Sequence, residues 1–596
     1  MPAPFPSMPC SLRVGGDGWL KGDGGMLHHR LRGRAQGLAL IAGAGALALG
    51  LYVAITTCVG VALHYSPVPV ADQWDGYVAN YVAFQKVPWM ALWLPHNEHR
   101  HILARLIFFP DMAWFGGLDL LSLSVDLLLC LLFVALSLRI LQRGAERESV
   151  ATRLFLAGVI LACGFSWVQC DNFTRGFQLP FFAVCLFGLG SFHALTVCCE
   201  RGGSTAWLAL SIASGAAAAF SMSNGLLTLP LCGLFACLLR LPWRHVATLA
   251  VAAGLTWAVY FYPIPGMPGP ITQESPLSVV ARDPIGAVAF ALLYLGSPVS
   301  YVLRSDGAWQ RAIEAGVGLL VVAGLLAGFA LVLSRAARSR VPQLWMLAVS
   351  AGLSAALAAG GRLPFGLREA LTSRYTTQAL VAWAALLVFF VLNLSGNARR
   401  VLLVLSGAVL VVLGAAQGQA LRPDRSELVV ERIAGLALRN AVYDDRYIGP
   451  LYRRPARLVE VAKQAQAQDL SIFGRGVPGF DDPPARPVVE GTCLGRIETA
   501  RLAATPGKIV IEGWAWDAEH AALPQAIAIT GPDGRTIGSG VFGKIRHDVE
   551  HRLGVREKRT GWIAFADATP GPVRVLAKTA PGRYCAIGET SAPRAA

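Results

Sequence analysis

Long apolar runs recur through most of this chain, and they constrain its fold more than any other feature. Residues 37–63, 120–138 and 316–333 each approach or exceed the roughly 20 residues that cross a bilayer. Inside hydrocarbon a backbone must satisfy its own hydrogen bonds, so runs of this length become helices. Only 15% of the 596 residues are charged, against about 25% in soluble domains. The chain reads as a mainly α, polytopic membrane protein.

A net charge of +15 raises the question of nucleic acid. No Lys/Arg block is interleaved with aromatics, however, and nucleic acid is excluded as a partner. The basic residues sit in short loops at 30–34, 143–147, 240–245, 335–340 and 399–400, where the positive-inside rule places cytoplasmic ends. About eleven transmembrane helices follow, at 37–63, 118–142, 152–169, 179–199, 205–222, 225–240, 246–262, 312–334, 342–360, 377–394 and 401–419. The apolar segment 284–302 is left out of that count, because including it would put Arg335, Arg338 and Arg340 outside. It reads as a helix lying on the outer surface or dipping into it.

Residues 1–36 then form a disordered cytoplasmic tail, 37–420 the membrane domain, 421–490 a helical linker region and 491–596 a β-sandwich-like domain. With an odd number of spans the C-terminal domain lies across the membrane from the tail. In a bacterial inner membrane that side is the periplasm. The pattern over 508–516, 525–530 and 572–578, with the Pro532-Asp533-Gly534 turn, predicts the strands. Cys493 and Cys585 bracket this region, and an oxidising compartment would let them pair. Trp514, Trp516 and Trp562 suit a sandwich core better than a sugar-stacking surface.

On this topology the polar interruptions all face outward. The richest is the loop over 72–105, which carries Asp72, Asp75 and the cluster His96-Asn97-Glu98-His99-Arg100-His101. The others hold Asp171-Asn172-Phe173-Thr174-Arg175-Gly176-Phe177-Gln178, Ser223-Asn224-Gly225, and Arg362 to Arg374-Tyr375. Asp72 and Asp75, three apart, would share a face if helical, and mutual repulsion would raise one pKa toward that of a useful base. The alternative for Asp72 is a helix N-cap. From Glu98 an amphipathic helix is expected to run to Phe109. Asp126, inside a span, implies a polar cavity or a partner.

The motifs DQWD, NEHR, NFTRGFQ, SNGL and SRY, in this order and on one side, resemble a family of bacterial polytopic proteins grouped with the GT-C membrane glycosyltransferases. The resemblance covers about 40–475. It implies a GT-C-like transferase that takes a sugar from a polyprenyl-phosphate donor and passes it to a cell-envelope glycan or lipid acceptor at the periplasmic face. It also implies that Asp72 or Asp75 acts as general base or helps to hold a divalent metal. Beside them Glu98 and His99 could bind a metal or orient the acceptor, while the spacing of His96 and His99 does not match the H-E-x-x-H pattern of a zinc protease. Arg100, Arg362 and Arg374, with Tyr375, would bind the carrier phosphate. Arg175, Gln178 and Asn224 would meet sugar hydroxyls, although Asn224-Gly225 also suits a tight turn. The rival readings are a transporter or flippase of lipid-linked glycans, a polymerase or ligase of such glycans, and a non-catalytic membrane scaffold.

Overall fold

The computed structural model describes residues 23–263, 275–303, 305, 307–335 and 339–591. The expected tail up to residue 22, part of the outer loop after the seventh expected span (264–274, 304 and 306) and residues 336–338 of a basic loop lie outside them. The first helix runs over Asp23–Leu63.

Among the described residues nine helices are long and apolar enough to cross a membrane. They include Leu120–Gly144, Val150–Thr174, Gly176–Glu200, Pro342–Phe365, Ser373–Asn393 and Gly396–Gln419. Two shorter apolar helices, Thr205–Ser221 and Ser223–Leu238, and the 19-residue helix Trp243–Phe261 fall outside that set. The set differs from the sequence expectation in a second way, since Pro284–Leu303 qualifies by length and composition. Its placement is informative. Before it, Pro276 packs against Gly360 at the end of the Pro342–Arg362 helix. After it, Tyr301 donates to the Leu371 carbonyl at 3.2 Å and accepts at its own carbonyl from Gln419. Both flanks lie at one end of the bundle, and Ser297-Pro298 forms a short 3-10 turn between its two helical parts.

Close approach of small residues sets the helix packing. A Cβ on Gly158 would stand 2.2 Å from the Ala46 carbonyl oxygen, and one on Gly50 2.7 Å from that of Gly158. Only glycine admits the first helix this near to Val150–Phe165. At the end of the bundle away from the 72–105 loop, Glu148 accepts from Arg340 at 2.6 Å and from Arg399 at 2.5 Å. One carboxylate thus gathers three basic loops.

At the opposite end the chain resumes as amphipathic helices Arg425–Arg439 and Pro455–Gln466. They bury Ala434, Leu436, Leu458 and Val461 in one cluster with Trp74, Tyr77, Val78 and Phe108 of the first loop and Val510, Ile563 and Phe565 of the sheet. The sheet consists of β1 (Val488–Thr492), β2 (Leu494–Leu502), β3 (Lys508–Trp516), β4 (Ala526–Thr530), β5 (Thr536–Lys544), β6 (Gly561–Asp567), β7 (Pro572–Ala580) and β8 (Arg583–Ser591). These pair in the order β1-β8-β7-β4-β5-β6-β3-β2. It is a single curled sheet, where a two-sheet sandwich was expected. Its concave core holds Ile511, Ile529, Trp562 and Val575, and Trp514 is buried as well.

Cys493 and Cys585 form a disulfide across 92 residues of sequence. Closing a loop of that length stabilises the domain by about 4 kcal/mol through the unfolded chain. Cys493→Ser should lower the unfolding temperature of the C-terminal domain by several degrees. A matching mobility change on reduction of the wild type is expected in non-reducing electrophoresis, and an unchanged melt would argue against the constraint.

Candidate active site

Asp72 sits where the first loop turns into a helical segment. Ala71 adopts a left-handed backbone (φ 51), and residues 74–79 form a π-helical turn before the regular helix Asn80–Lys86. Such turns are rare and concentrate at functional sites. The two aspartates have different partners. Asp75 accepts from the Tyr452 hydroxyl and from Arg457 Nε at 2.8 Å, which ties the first loop to the C-terminal helices. Asp72 points elsewhere, and its side chain is 48% exposed.

The partner of Asp72 is His96, whose Nε2 lies 3.9 Å from Oδ2. That is an electrostatic contact longer than a direct hydrogen bond. The polar contact with His96 is the largest cause holding Asp72 below the usual carboxylate range, and Arg374 and Arg362 act in the same direction. The direction is opposite to the rise expected from paired aspartates. Asp72 is consequently ionised at neutral pH. The sequence gives this placement a signal in Gly76. A Cβ there would meet the Phe177 ring at 2.4 Å and His96 Nδ1 at 3.0 Å, so glycine lets the turn close on the imidazole.

The NEHR cluster is a tight turn rather than the first turn of a helix. His96 and His99 exchange backbone hydrogen bonds of 2.8 and 2.9 Å, and Asn97 takes φ 52. The helix begins at Ile102, so Glu98 and Arg105 share no helical face. Arg105 is buried and donates to the Leu92 carbonyl at 2.8 Å. Glu98 accepts from Arg362 Nη2 at 2.7 Å and lies 3.4 Å from His99 Nε2. Burial lowers His99 to about 3, with Arg362 and His96 adding to it. His101, bonded to the Ser221 carbonyl at 2.9 Å, is likewise held well below the ordinary imidazole range by burial. Both imidazoles are neutral.

Arg374 donates to Glu369 and lies 5.2 Å from the Tyr375 ring. Asp72, Glu98, Arg362 and Arg374 therefore gather at one end of the bundle, although the first and last of them stand 302 residues apart in sequence. The remaining candidates have other employment. Arg100 donates to the Trp93 carbonyl at 2.6 Å and the Tyr262 carbonyl at 3.3 Å, stapling the loop to Trp243–Phe261. Tyr375 is buried and stacks on Tyr294 at 4.9 Å. Arg175 lies 3.9 Å from Glu427, and Gln178 is half-buried beside it. Asn224 donates to Ser354 at 3.0 Å while its carbonyl oxygen is buried without a partner. Gly225 packs on the Ala218 carbonyl, consistent with the turn.

Among the described residues no group of three or more His, Cys, Asp or Glu is arranged to hold a metal ion. Arg362 holds Glu98 and Arg457 holds Asp75, so the acids do not converge as a ligand set.

Asp75→Asn and Arg457→Gln should each loosen the C-terminal helices on the first loop. In a double-mutant cycle on thermal unfolding the pair should show a coupling of about 1 kcal/mol, whereas strictly additive losses would show that the two residues act apart. Compared with protein-family models, curated proteins and solved structures, the chain matches none of them.

Proposed function

We propose that this chain is a membrane glycosyltransferase, transferring a sugar from a polyprenyl-phosphate donor to a cell-envelope glycan or lipid acceptor. The observation that carries the reading is the half-exposed, ionised Asp72 set beside His96 and within electrostatic reach of Arg362 and Arg374. A carboxylate that accepts a proton and two guanidinium groups that receive phosphate charge are what such a transfer needs.

In this reading Asp72 takes the proton of an acceptor hydroxyl as its oxygen attacks the anomeric carbon. The bond from that carbon to the carrier phosphate breaks, and the polyprenyl phosphate leaves with the electron pair. Arg362 and Arg374 face the charge that develops. Without ligand they are held by Glu98 and Glu369, so phosphate would compete with two carboxylates for two preoriented forks. The proposed topology has eleven crossings. It counts the three helices between Thr205 and Phe261 and treats 275–303 as a segment that enters and leaves on one side. Arginine-rich loops at the far end orient the site outward, on the periplasmic side of a bacterial inner membrane.

A flippase or transporter would need its charge within the helices. Asp126 is buried there with neither oxygen hydrogen-bonded, but the larger ionisable cluster stands at one end, which favours chemistry over transport.

Asp72→Asn should reduce transfer by about 100-fold or more at unchanged protein level, scored as loss of the surface glycan or of product in membranes. Wild-type glycan from this variant would remove Asp72 as base. The pH profile offers a second check. Because the pKa of Asp72 is depressed, its ionised form persists as pH falls and is lost only below the usual carboxylate range. His96→Ala removes the largest cause of that depression, so the acid limb of activity should move to higher pH. A limb that stays in place would separate His96 from the base.

A further inference from the structure

Beside the Asp72 cluster a cavity of about 710 Å³ opens between the C-terminal ends of Asp23–Leu63 and Gly396–Ala416, the turn at 167–175 and the helix Arg425–Arg439. Gln73, the neighbour of Asp72, forms part of its wall. None of the residues proposed to handle carrier phosphate lines it.

Its chemistry is mixed. Part of its lining is apolar, with Trp167, Val302, Ala415 and Ala416. The rest carries five acids (Asp119, Asp171, Asp424, Glu427 and Glu431) and the two arginines Arg175 and Arg422. That surplus of carboxylates opposes a phosphate or other anion. Two polar atoms are buried without a partner, Asp119 Oδ1 and His64 Nε2, on residues that both line the cavity. Asp119 is 7% exposed, and its other oxygen accepts from Gln73 at 2.5 Å. An unpaired buried carboxyl oxygen carries a free-energy penalty that a ligand donor would relieve.

We infer that this cavity binds a neutral saccharide, the acceptor end of the proposed transfer, and this rests on the glycosyltransferase reading. A sugar ring has apolar C–H faces and a rim of hydroxyls, each both donor and acceptor. The apolar lining suits the faces. Carboxyl, imidazole and amide groups of the rest suit the rim. Burial, with Asp111 adding to it, raises Asp119 to about 7, and burial lowers His64. Near neutral pH His64 is therefore uncharged and Asp119 is protonated in about half of the molecules, a pair of hydrogen-bonding groups fit for a ligand that brings no charge.

Gly418 provides the test. A Cβ there meets nothing within 4 Å, so Gly418→Trp can project into the cavity without displacing the backbone, and Gly418→Ala serves as its control. Thr174→Trp, at another lining position, is an independent filling. Detergent-purified full-length protein would be applied to a glycan array carrying neutral and anionic bacterial oligosaccharides. Wild type and Gly418→Ala should bind neutral glycans alike, with both tryptophan variants at least tenfold weaker while retaining the wild-type elution volume and melting temperature. Absence of binding to every neutral glycan, preference for anionic ones, or binding undiminished in both filled variants would overturn the assignment. Binding that persists in Asp72→Asn, together with undiminished transfer by that variant, would instead leave the saccharide site standing and remove the proposed base.

Discussion

Burial of the first loop beneath the C-terminal helices is the contact on which the site depends. Trp74, Tyr77 and Phe108 are almost wholly excluded from solvent, as are Leu436, Leu451 and Leu458 above them. Each such side chain contributes roughly 1.5–3 kcal/mol on transfer from water, enough together to hold a loop that would otherwise lack a core of its own. The ion pair of Asp75 with Arg457 adds direction at the edge of this seam. Hydrophobic burial is non-directional, whereas a carboxylate meeting a guanidinium and a phenol fixes which turn of the segment faces upward. With Asp75 held in that direction, the residues before it are turned toward His96.

The electrostatics of the cluster follow from pairing. Near the membrane a charge is costly unless it meets its opposite, and most of the charged groups here have done so: Glu98 with Arg362, Glu369 with Arg374, Asp75 with Arg457. Asp72 differs. Its direct neighbour is an imidazole, its guanidinium partners act at longer range, and about half of its side chain remains accessible. It can stay charged while open to a reactant. Depressing a carboxylate lowers its strength as a base but secures its ionised form, so the balance favours availability over basicity.

Hydropathy and arginine placement made the membrane class legible, because lipid imposes one rule on every residue of a span. Strand β3, predicted over 508–516, has those bounds in the structure. Local rules failed where a distant segment decided. Asp75 looked like a partner of Asp72 until a helix residue 382 positions later claimed it. The 96–99 turn escaped because its polar residues also fit a helix start, and only the left-handed Asn97 breaks the pattern. Periodicity could not distinguish one curled sheet from two stacked ones, since both alternate residues along each strand. Gly76 was the overlooked signal: a glycine right after two acids in an aromatic segment marks a close approach, here to Phe177 and His96.

Gln73 connects the two chemistries of this end of the bundle. Its amide nitrogen donates to Asp119 in the cavity wall at 2.5 Å, and its oxygen accepts from the Val70 backbone at 3.0 Å. Those bonds brace the turn that carries Ala71 in its left-handed conformation and Asp72 immediately after it. Asp119 Oδ1 is left without a partner, so a group that bonds it acts on the same carboxyl that anchors Gln73 through Oδ2, one side chain and one peptide bond from Asp72. The strain at Ala71 is tolerated because both sides of the turn are tied down. The same bracing ties the orientation of Asp72 to the wall of the neighbouring cavity.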